Sequence, residues 1–285
     1  MKTVSRQQAE RAIVSQFRSL VGDSAFRSGT RHDDHLLTWE LNLVPGVEPE
    51  LVCGALSLGS GGELIEKHGG APAKFCAPYS SSALCVNSFG VARSEPALLA
   101  IFGLSGFTTC GFEEKLPTGL GGTPPNLDLV AASPDVRLAV ESKFLEPLSR
   151  KAPKFVASYA AAYKHCGDAA LNQAYLAISS GRERFIYLDV AQLLKHALGI
   201  LKAPQPPERN VFAYLFWEPT NSQELEPFET HRREIATFSA LMEGSQIQFR
   251  HLSYPNLWRS WQSDQCPEKL RQHVSCLIER YELEL

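Results

Sequence analysis

The sequence predicts a mixed α/β fold: a mixed central sheet flanked by helices, with an N-terminal helical elaboration. Three observations predict it. Helical periodicities and short apolar runs interleave along the chain without strict βαβ alternation. The runs at 127–132 and 136–144 flank Ser133-Pro134-Asp135 as the strands of a hairpin would. The composition, 44% apolar and 21% charged over 285 residues, suits a chain with a full-sized core. The breaks near 59–62 and 203–207 are short, so one domain over 1–285 is expected, with its core at about 80–260 and the elaboration at 1–79.

In chain order, Ala9, Ile13, Phe17 and Leu20 recur at helical spacing and give an amphipathic opening helix, broken by Gly22 and the run 26–35. Residues 36–43 fit a short strand or helix ended by Pro45-Gly46. Residues 50–58 read as a helix, and Gly59-Ser60-Gly61-Gly62 as a loop. Ser80-Ser81-Ser82 caps a helix carrying Leu84, Val86 and Phe89. Residues 98–102 and 107–112 look strand-like, and 117–125 are turn-rich. After the hairpin, 154–166 reads as helix, 174–178 and 184–188 as strands, and 190–201 as a helix N-capped by Asp189. A buried strand at 210–217 precedes a helix, a strand at 247–252 and a terminal helix from about Glu268.

Several function classes drop out. No apolar run is long enough to span a membrane, and Met1–Gln16 lacks the apolar stretch of a signal peptide. The seven cysteines are odd in number and never spaced as CxxC, which disfavours disulfides and structural zinc and points to a reducing cytoplasm. Neither a P-loop nor a GxSxG elbow occurs. The net charge of −3 gives no global attraction for polyanions, so any such contact depends on local basic surface.

The informative stretch is Asn126-Leu127-Asp128-Leu129-Val130 followed by Val140-Glu141-Ser142-Lys143-Phe144. On a strand, Glu141 and Lys143 share a face. Pro134 cannot adopt the positive φ of the primed two-residue turns, so a four-residue loop, Ser133–Val136, closes the hairpin more easily. That loop pairs Ala132 with Arg137 and sets Asp128 opposite Glu141. Two facing carboxylates repel, and a divalent cation between them, Mg²⁺ or Mn²⁺, removes the conflict. Lys143 beside it would orient a water or steady charge at phosphorus, which makes a phosphodiesterase site. Against this, 23 Glu and 11 Lys give about one Glu-x-Lys triplet by chance, and a second one is present, Glu113-Glu114-Lys115.

These residues resemble the PD-(D/E)XK nuclease superfamily, whose core runs helix, three strands, helix, strand. Here those elements would fall near 82–89, 107–115, 127–132, 136–144, 190–201 and 210–217. The strings Phe112-Glu113-Glu114-Lys115-Leu116-Pro117-Thr118-Gly119, Gly122-Thr123-Pro124-Pro125-Asn126-Leu127-Asp128 and Glu141-Ser142-Lys143-Phe144-Leu145-Glu146-Pro147, with Ser81-Ser82-Ala83-Leu84 and Asn87, are similar to a bacterial group of restriction-endonuclease relatives over about residues 36–260. The resemblance implies a restriction-endonuclease-like core and a Mg²⁺-dependent nuclease acting on nucleic acid, DNA in the first instance. Asp128 and Glu141 would be its metal ligands, and Lys143 would assist the nucleophile or steady the charge at phosphorus. Leu127 stands where the superfamily often has proline. Glu113 is the choice for an upstream acid, because it shares strand phase with Lys115; Glu114 is the alternative, and a salt bridge would suit either. Gln192 occupies the place of a polar helper.

Arg150, Lys151 and Lys154 follow the Glu-x-Lys strand and would grip nucleic-acid phosphates. Phe155, Tyr159 and Tyr163 at helical spacing fit a core face better than a stacking surface, as do Tyr254, Trp258 and Trp261. His32-Asp33-Asp34-His35 reads as a polar loop, and His165-Cys166 as structural residues pointing apart on a helix. The rival reading is a catalytically silent module of the same fold that binds nucleic acid or a protein partner. A homodimer suits double-strand cutting, though no interface motif calls for it. The residues do not choose between DNA and RNA, or between endo- and exonuclease action.

Overall fold

The computed structural model describes residues 1–58, 62–66, 69–121, 124–204 and 208–285. The loop expected at 59–62, the turn-rich stretch 117–125 and the break near 203–207 fall partly outside them. Five strands, β1 (Thr109–Lys115), β2 (Asn126–Ala132), β3 (Val136–Lys143), β4 (Arg209–Phe216) and β5 (Ile247–Ser253), form one sheet in the order 1-2-3-4-5. β1, β2 and β3 pair antiparallel, whereas β3–β4 and β4–β5 pair parallel, so the sheet is mixed. Parallel neighbours need a crossover, and helices supply it on one face.

The burial pattern shows why each strand sits where it does. β2 alternates buried and half-buried residues, with Leu127, Leu129 and Ala131 inward. β4, flanked on both sides, is a continuous buried run from Val211 to Phe216. On β3, Val136, Leu138 and Val140 face a core shared with α1 (Arg6–Val21), α2 (Pro49–Leu58), α3 (Ser81–Ser94), α8 (Tyr254–Trp261) and α9 (Glu268–Tyr281). Phe144 meets Trp217 and Tyr281 edge-to-face at 5.1 and 5.6 Å; full burial of such a ring stabilises by roughly 1.5–3 kcal/mol. Ala139 faces a second core built with α4 (Ser158–Lys164), α5 (Ala169–Ser179), α6 (Val190–Lys202) and α7 (Glu226–Leu241).

The helix–strand–strand–strand–helix–strand order expected near 82–217 is present as α3, β1, β2, β3, α6 and β4. This is a mixed α/β architecture consistent with a restriction-endonuclease-like core. The hairpin closes over Ser133–Val136, where Ser133 N–H donates to the Val136 carbonyl at 2.9 Å and the Ser133 hydroxyl accepts from Val136 N–H at 3.2 Å.

Three expected strands are absent. Residues 174–178 belong to α5, because the Asp168 carboxylate caps the helix at Leu171 N–H (2.9 Å) and Leu171, Ala174, Tyr175 and Ile178 bury at helical spacing. Residues 184–188 form no ladder, since the Glu234 carboxylate on α7 accepts the N–H groups of Ile186, Tyr187 and Leu188 at 2.5, 2.9 and 2.8 Å. Residues 98–102 make a turn in which Ile101 bridges only to Leu104, with Phe102 at φ 55°. The helix expected over 154–166 is confined to 158–164, because Lys151 N–H donates to the Ile186 carbonyl and keeps the preceding segment extended. Around 36–43 the chain forms a single 3-10 turn, Glu40–Asn42.

Candidate active site

The β2–β3 ladder pairs Ala132 with Arg137 and continues to Leu129 with Val140, so the next opposed residues are Asp128 and Glu141. The ladder ends there because Ser142 N–H donates to the Asp128 carboxylate at 2.7 Å. Strand alternation then sorts β3. Ser142 turns toward α8, its hydroxyl 2.7 Å from Tyr254 OH, while Glu141 and Lys143 point to the α6 side.

Helix α6 completes the cluster. Its Asp189 cap accepts from Gln192 N–H at 3.1 Å, and Gln192 and His196, one turn apart, present polar groups to β3. Gly199 further along lets α6 close on the chain after β1, since a Cβ there would overlap the Leu116 carbonyl. Lys143 Nζ donates to Glu141 Oε1 and to Gln192 Oε1, the latter at 3.0 Å. His196 Nε2 lies 2.9 Å from Glu141 Oε2. That approach is oblique, so Glu141 Oε2 and both ring nitrogens of His196 complete no hydrogen bond among the described residues. A buried acceptor left this way costs about 1–3 kcal/mol unless something else satisfies it.

The electrostatics split the two carboxyls. Burial pushes Asp128 up and the charge of Glu141 pushes it further, with Lys143 only partly offsetting them. Burial also raises Glu141, but Lys143 and then His196 more than reverse it and hold this carboxyl below its ordinary range. For Lys143, burial favours the neutral amine, yet Glu141, Glu146 and Asp128 together keep it protonated beyond its ordinary value.

Glu113, the expected upstream acid, is positioned for a different reason than strand phase. It adopts φ 55°, a left-handed conformation in mid-strand, where β1 pairs Phe112 with Leu129 and Glu114 with Leu127. That break in alternation folds the exposed Glu114 carboxylate back over Gly111 and turns Glu113 inward, accepting from Asn126 Nδ2 at 2.9 Å. Burial raises the Glu113 carboxyl; the Asn126 donor opposes this, while Glu63 and Glu141 add to it.

A pocket of about 20 Å³ adjoins Lys143, Glu146, Lys151, Tyr187, Asp189, Gln192 and Tyr214, about the room one water occupies. Lys151 also borders a much larger cleft together with Arg150 and Lys154. Phe155 and Tyr159 are half-buried and Tyr163 is buried, stacked on Tyr175 at 4.4 Å, so these aromatics pack into the second core. Tyr254, Trp258 and Trp261 are likewise buried. His32–His35 is a polar loop in which His35 contacts Asp34 at 2.7 Å and Asp34 accepts from Tyr79 OH at 2.8 Å. Among the described residues no group of three or more His, Cys, Asp or Glu side chains is arranged to hold a metal, and no helix is long and apolar enough to cross a membrane.

His196, beside Glu141, and Glu234, which holds the 186–188 backbone, occupy organising positions that sequence reasoning missed. The only available signal was for His196, four residues after Gln192 on a helix already placed beside β3.

Comparison with curated proteins and with solved structures gives no match. A family model does match, over residues 65–282, a span that contains all five strands and the whole Asp128–Glu141–Lys143–Gln192 cluster. With an acid-lysine cluster on a restriction-endonuclease-like core and most of its length matched, the chain belongs to the family described as restriction endonuclease associating with ARP.

Proposed function

We propose that the chain is a metal-dependent nuclease of the PD-(D/E)XK class that hydrolyses phosphodiester bonds, with DNA as its substrate. The observation that carries this reading is that Asp128 and Glu141 follow the last β2–β3 pair, Leu129 with Val140, with Lys143 on the same face as Glu141.

The donor set fits a hard divalent cation such as Mg²⁺ or Mn²⁺. Asp128 and Glu141 offer oxygen, Glu141 Oε2 has no hydrogen-bond donor, and burial together with the Glu141 charge pushes Asp128 upward, which a cation between them would offset. When bound, such an ion supplies positive charge to a phosphate oxygen and acidifies a water. The rest belongs to the chain. Lys143, held between Glu141 and Gln192, is placed to donate to developing negative charge at phosphorus. Gln192 Oε1 fixes the Lys143 ammonium by accepting one of its protons. Glu113, turned inward by its left-handed backbone, adds acidic character at the open side of the pair. Arg150, Lys151 and Lys154 supply phosphate contacts beside it.

One observation favours the rival, a silent module of the same fold: Glu141 already has two close nitrogen neighbours, the Lys143 ammonium and the His196 ring. Cleavage of mixed plasmid and single-stranded DNA with Mg²⁺ or Mn²⁺ decides between them, comparing wild type with Lys143→Ala and Asp128→Ala. Cleavage abolished by both substitutions and by chelator establishes the nuclease. Cleavage surviving both substitutions removes this site, and no cleavage with any substrate favours the silent module.

A further inference from the structure

The α4–α5 side of the molecule carries a cleft of about 1360 Å³. It exceeds the roughly 300–1,000 Å³ that encloses a small molecule, so its volume suits a segment of polymer. One wall is residues 150–157, the extended stretch between β3 and α4. The other is the C-terminal turn of α5 with residues 180–186. Both walls are tied down. Lys151 N–H bonds the Ile186 carbonyl at 2.6 Å across the gap, and Glu234 holds the second wall through three backbone N–H groups.

Floor and rim differ in chemistry. The floor has Phe155 edge-to-face on Tyr175 at 5.0 Å, with Val156 and Ile186 left 64% and 41% exposed. Exposed branched aliphatics beside an aromatic pair are costly unless something covers them. The rim carries Arg150, Lys151, Lys154 and Arg184 against the single carboxylate of Glu183. Among the described residues, Lys154 and Arg184 form no ion pair.

A duplex presents phosphates and hides its base faces, so cations alone would suffice to hold it. An apolar floor beneath a cationic rim matches a polymer that shows flat apolar faces and an anionic backbone at once. We propose that this cleft binds an unpaired nucleic-acid strand. Its bases lie on Phe155, Val156 and Ile186, and its phosphates on Arg150, Lys154 and Arg184. Lys151 borders both this cleft and the small pocket beside Lys143 and Gln192, so the strand's backbone leads from the cleft to the candidate site. That last step rests on the nuclease reading; the binding itself does not.

The test is fluorescence anisotropy of the full chain in chelator, where no metal-dependent cleavage competes. The probes are a labelled oligothymidine and a blunt duplex of equal length. The oligothymidine is expected to bind about tenfold tighter than the duplex, as base stacking of roughly 1–3 kcal/mol per base would provide. Val156→Asp, at an exposed position that should fold normally, and Arg184→Ala should each weaken oligothymidine binding at least about threefold. Arg184→Ala should also lower the salt dependence by close to one phosphate contact. Equal or tighter duplex binding, no binding of either probe, or oligothymidine affinity unchanged in the Val156→Asp/Arg184→Ala double variant would overturn the proposal. So would displacement by polyglutamate as effective as by unlabelled strand, which would reduce the cleft to a charge trap. If oligothymidine binds as expected while no preparation cleaves DNA, the cleft assignment stands and the nuclease reading fails.

Discussion

The chain carries the triplet Glu-x-Lys twice, at 113–115 on β1 and at 141–143 on β3, and the two have opposite fates. β1 is an edge strand, so Glu114 and Lys115 are exposed and Glu113 turns inward only through a left-handed backbone. β3 is central, paired on both sides and covered on both faces, so Glu141 is 1% exposed and Lys143 reaches both it and Gln192. The same three-residue pattern is therefore a half-solvated edge in one place and a buried ionic cluster in the other. Its chemistry comes from strand position and from the residue across the ladder, Asp128, rather than from the triplet.

The largest test of that contrast is catalytic. Lys143→Ala should lower metal-dependent cleavage by about 10²–10³-fold, the usual loss for a preorganised transition-state donor, whereas Lys115→Ala should leave it within about twofold. Single-turnover rates on plasmid would measure both. Similar losses from the two substitutions would erase the distinction between edge and centre.

Much of this contrast was legible beforehand. Pro134 excludes the primed turns, the four-residue loop follows, and the loop sets Asp128 opposite Glu141 through the period-2 geometry of strands. What was not legible has more than one physical cause, and the clearest is long-range capture of backbone groups. Residues 184–188 have a strand's composition, but Glu234, nearly 50 positions later, takes their N–H groups. Residues 174–178 are as apolar as a strand, and only the Asp168 cap commits them to helix. Glu113 was chosen by a strand phase that its own φ of 55° breaks, and no local feature of Phe112-Glu113-Glu114 announces that value. Gln192 was singled out on the 190–201 helix, and the structure brings its side chain to Lys143. His196 was missed, because a histidine on the buried face of a helix reads as core until its acidic neighbour is known.

Stability sharpens the comparison next. Glu141→Ala leaves the Lys143 ammonium and His196 in a buried site without their carboxylate, and breaking a buried pair costs about 3–5 kcal/mol. Removing Glu141 also relieves Asp128, which can then face Lys143, so the lower end of that range is expected. Glu114→Ala on the exposed edge should change stability by no more than about 0.5 kcal/mol. Denaturant midpoints in chelator would compare the two, and equal effects would mean that Glu141 is not sustaining its buried partners.

The pH dependence separates the two glutamates by sign. Glu141 is held below its ordinary value of 4.5, so the native state binds its proton less readily than the unfolded chain. Its contribution is complete above pH 4.5 and is lost as pH falls below it. Glu113 is raised above 4.5, so its charged form is disfavoured in the native state, and the stability linked to its proton is lost as pH rises from 4.5 through the raised value. Relative to wild type without metal, Glu141→Gln should therefore be least harmful below pH 4.5. Glu113→Gln should become relatively more favourable as pH rises toward neutrality. Denaturation at stepped pH would read both slopes, and slopes of the same sign would contradict the assigned environments.

The smallest effect isolates the backbone at the edge. A non-glycine residue in the left-handed region costs about 1–2 kcal/mol, and Glu113 carries that cost in the middle of a paired strand. Glu113→Gly removes the strain but adds backbone freedom to the unfolded chain, which returns up to about 1 kcal/mol, so a net gain of no more than about 1 kcal/mol is expected. Glu113→Ala loses the same carboxylate and the same Asn126 contact without relieving the backbone, and should be less stable than Glu113→Gly by about that amount. If cleavage falls equally in the two variants, the carboxylate is what the site uses. If it falls only in Glu113→Ala, the left-handed backbone itself, which glycine keeps and alanine resists, is what holds the edge strand against Asp128, and the triplet on β1 acts through its conformation rather than its charge.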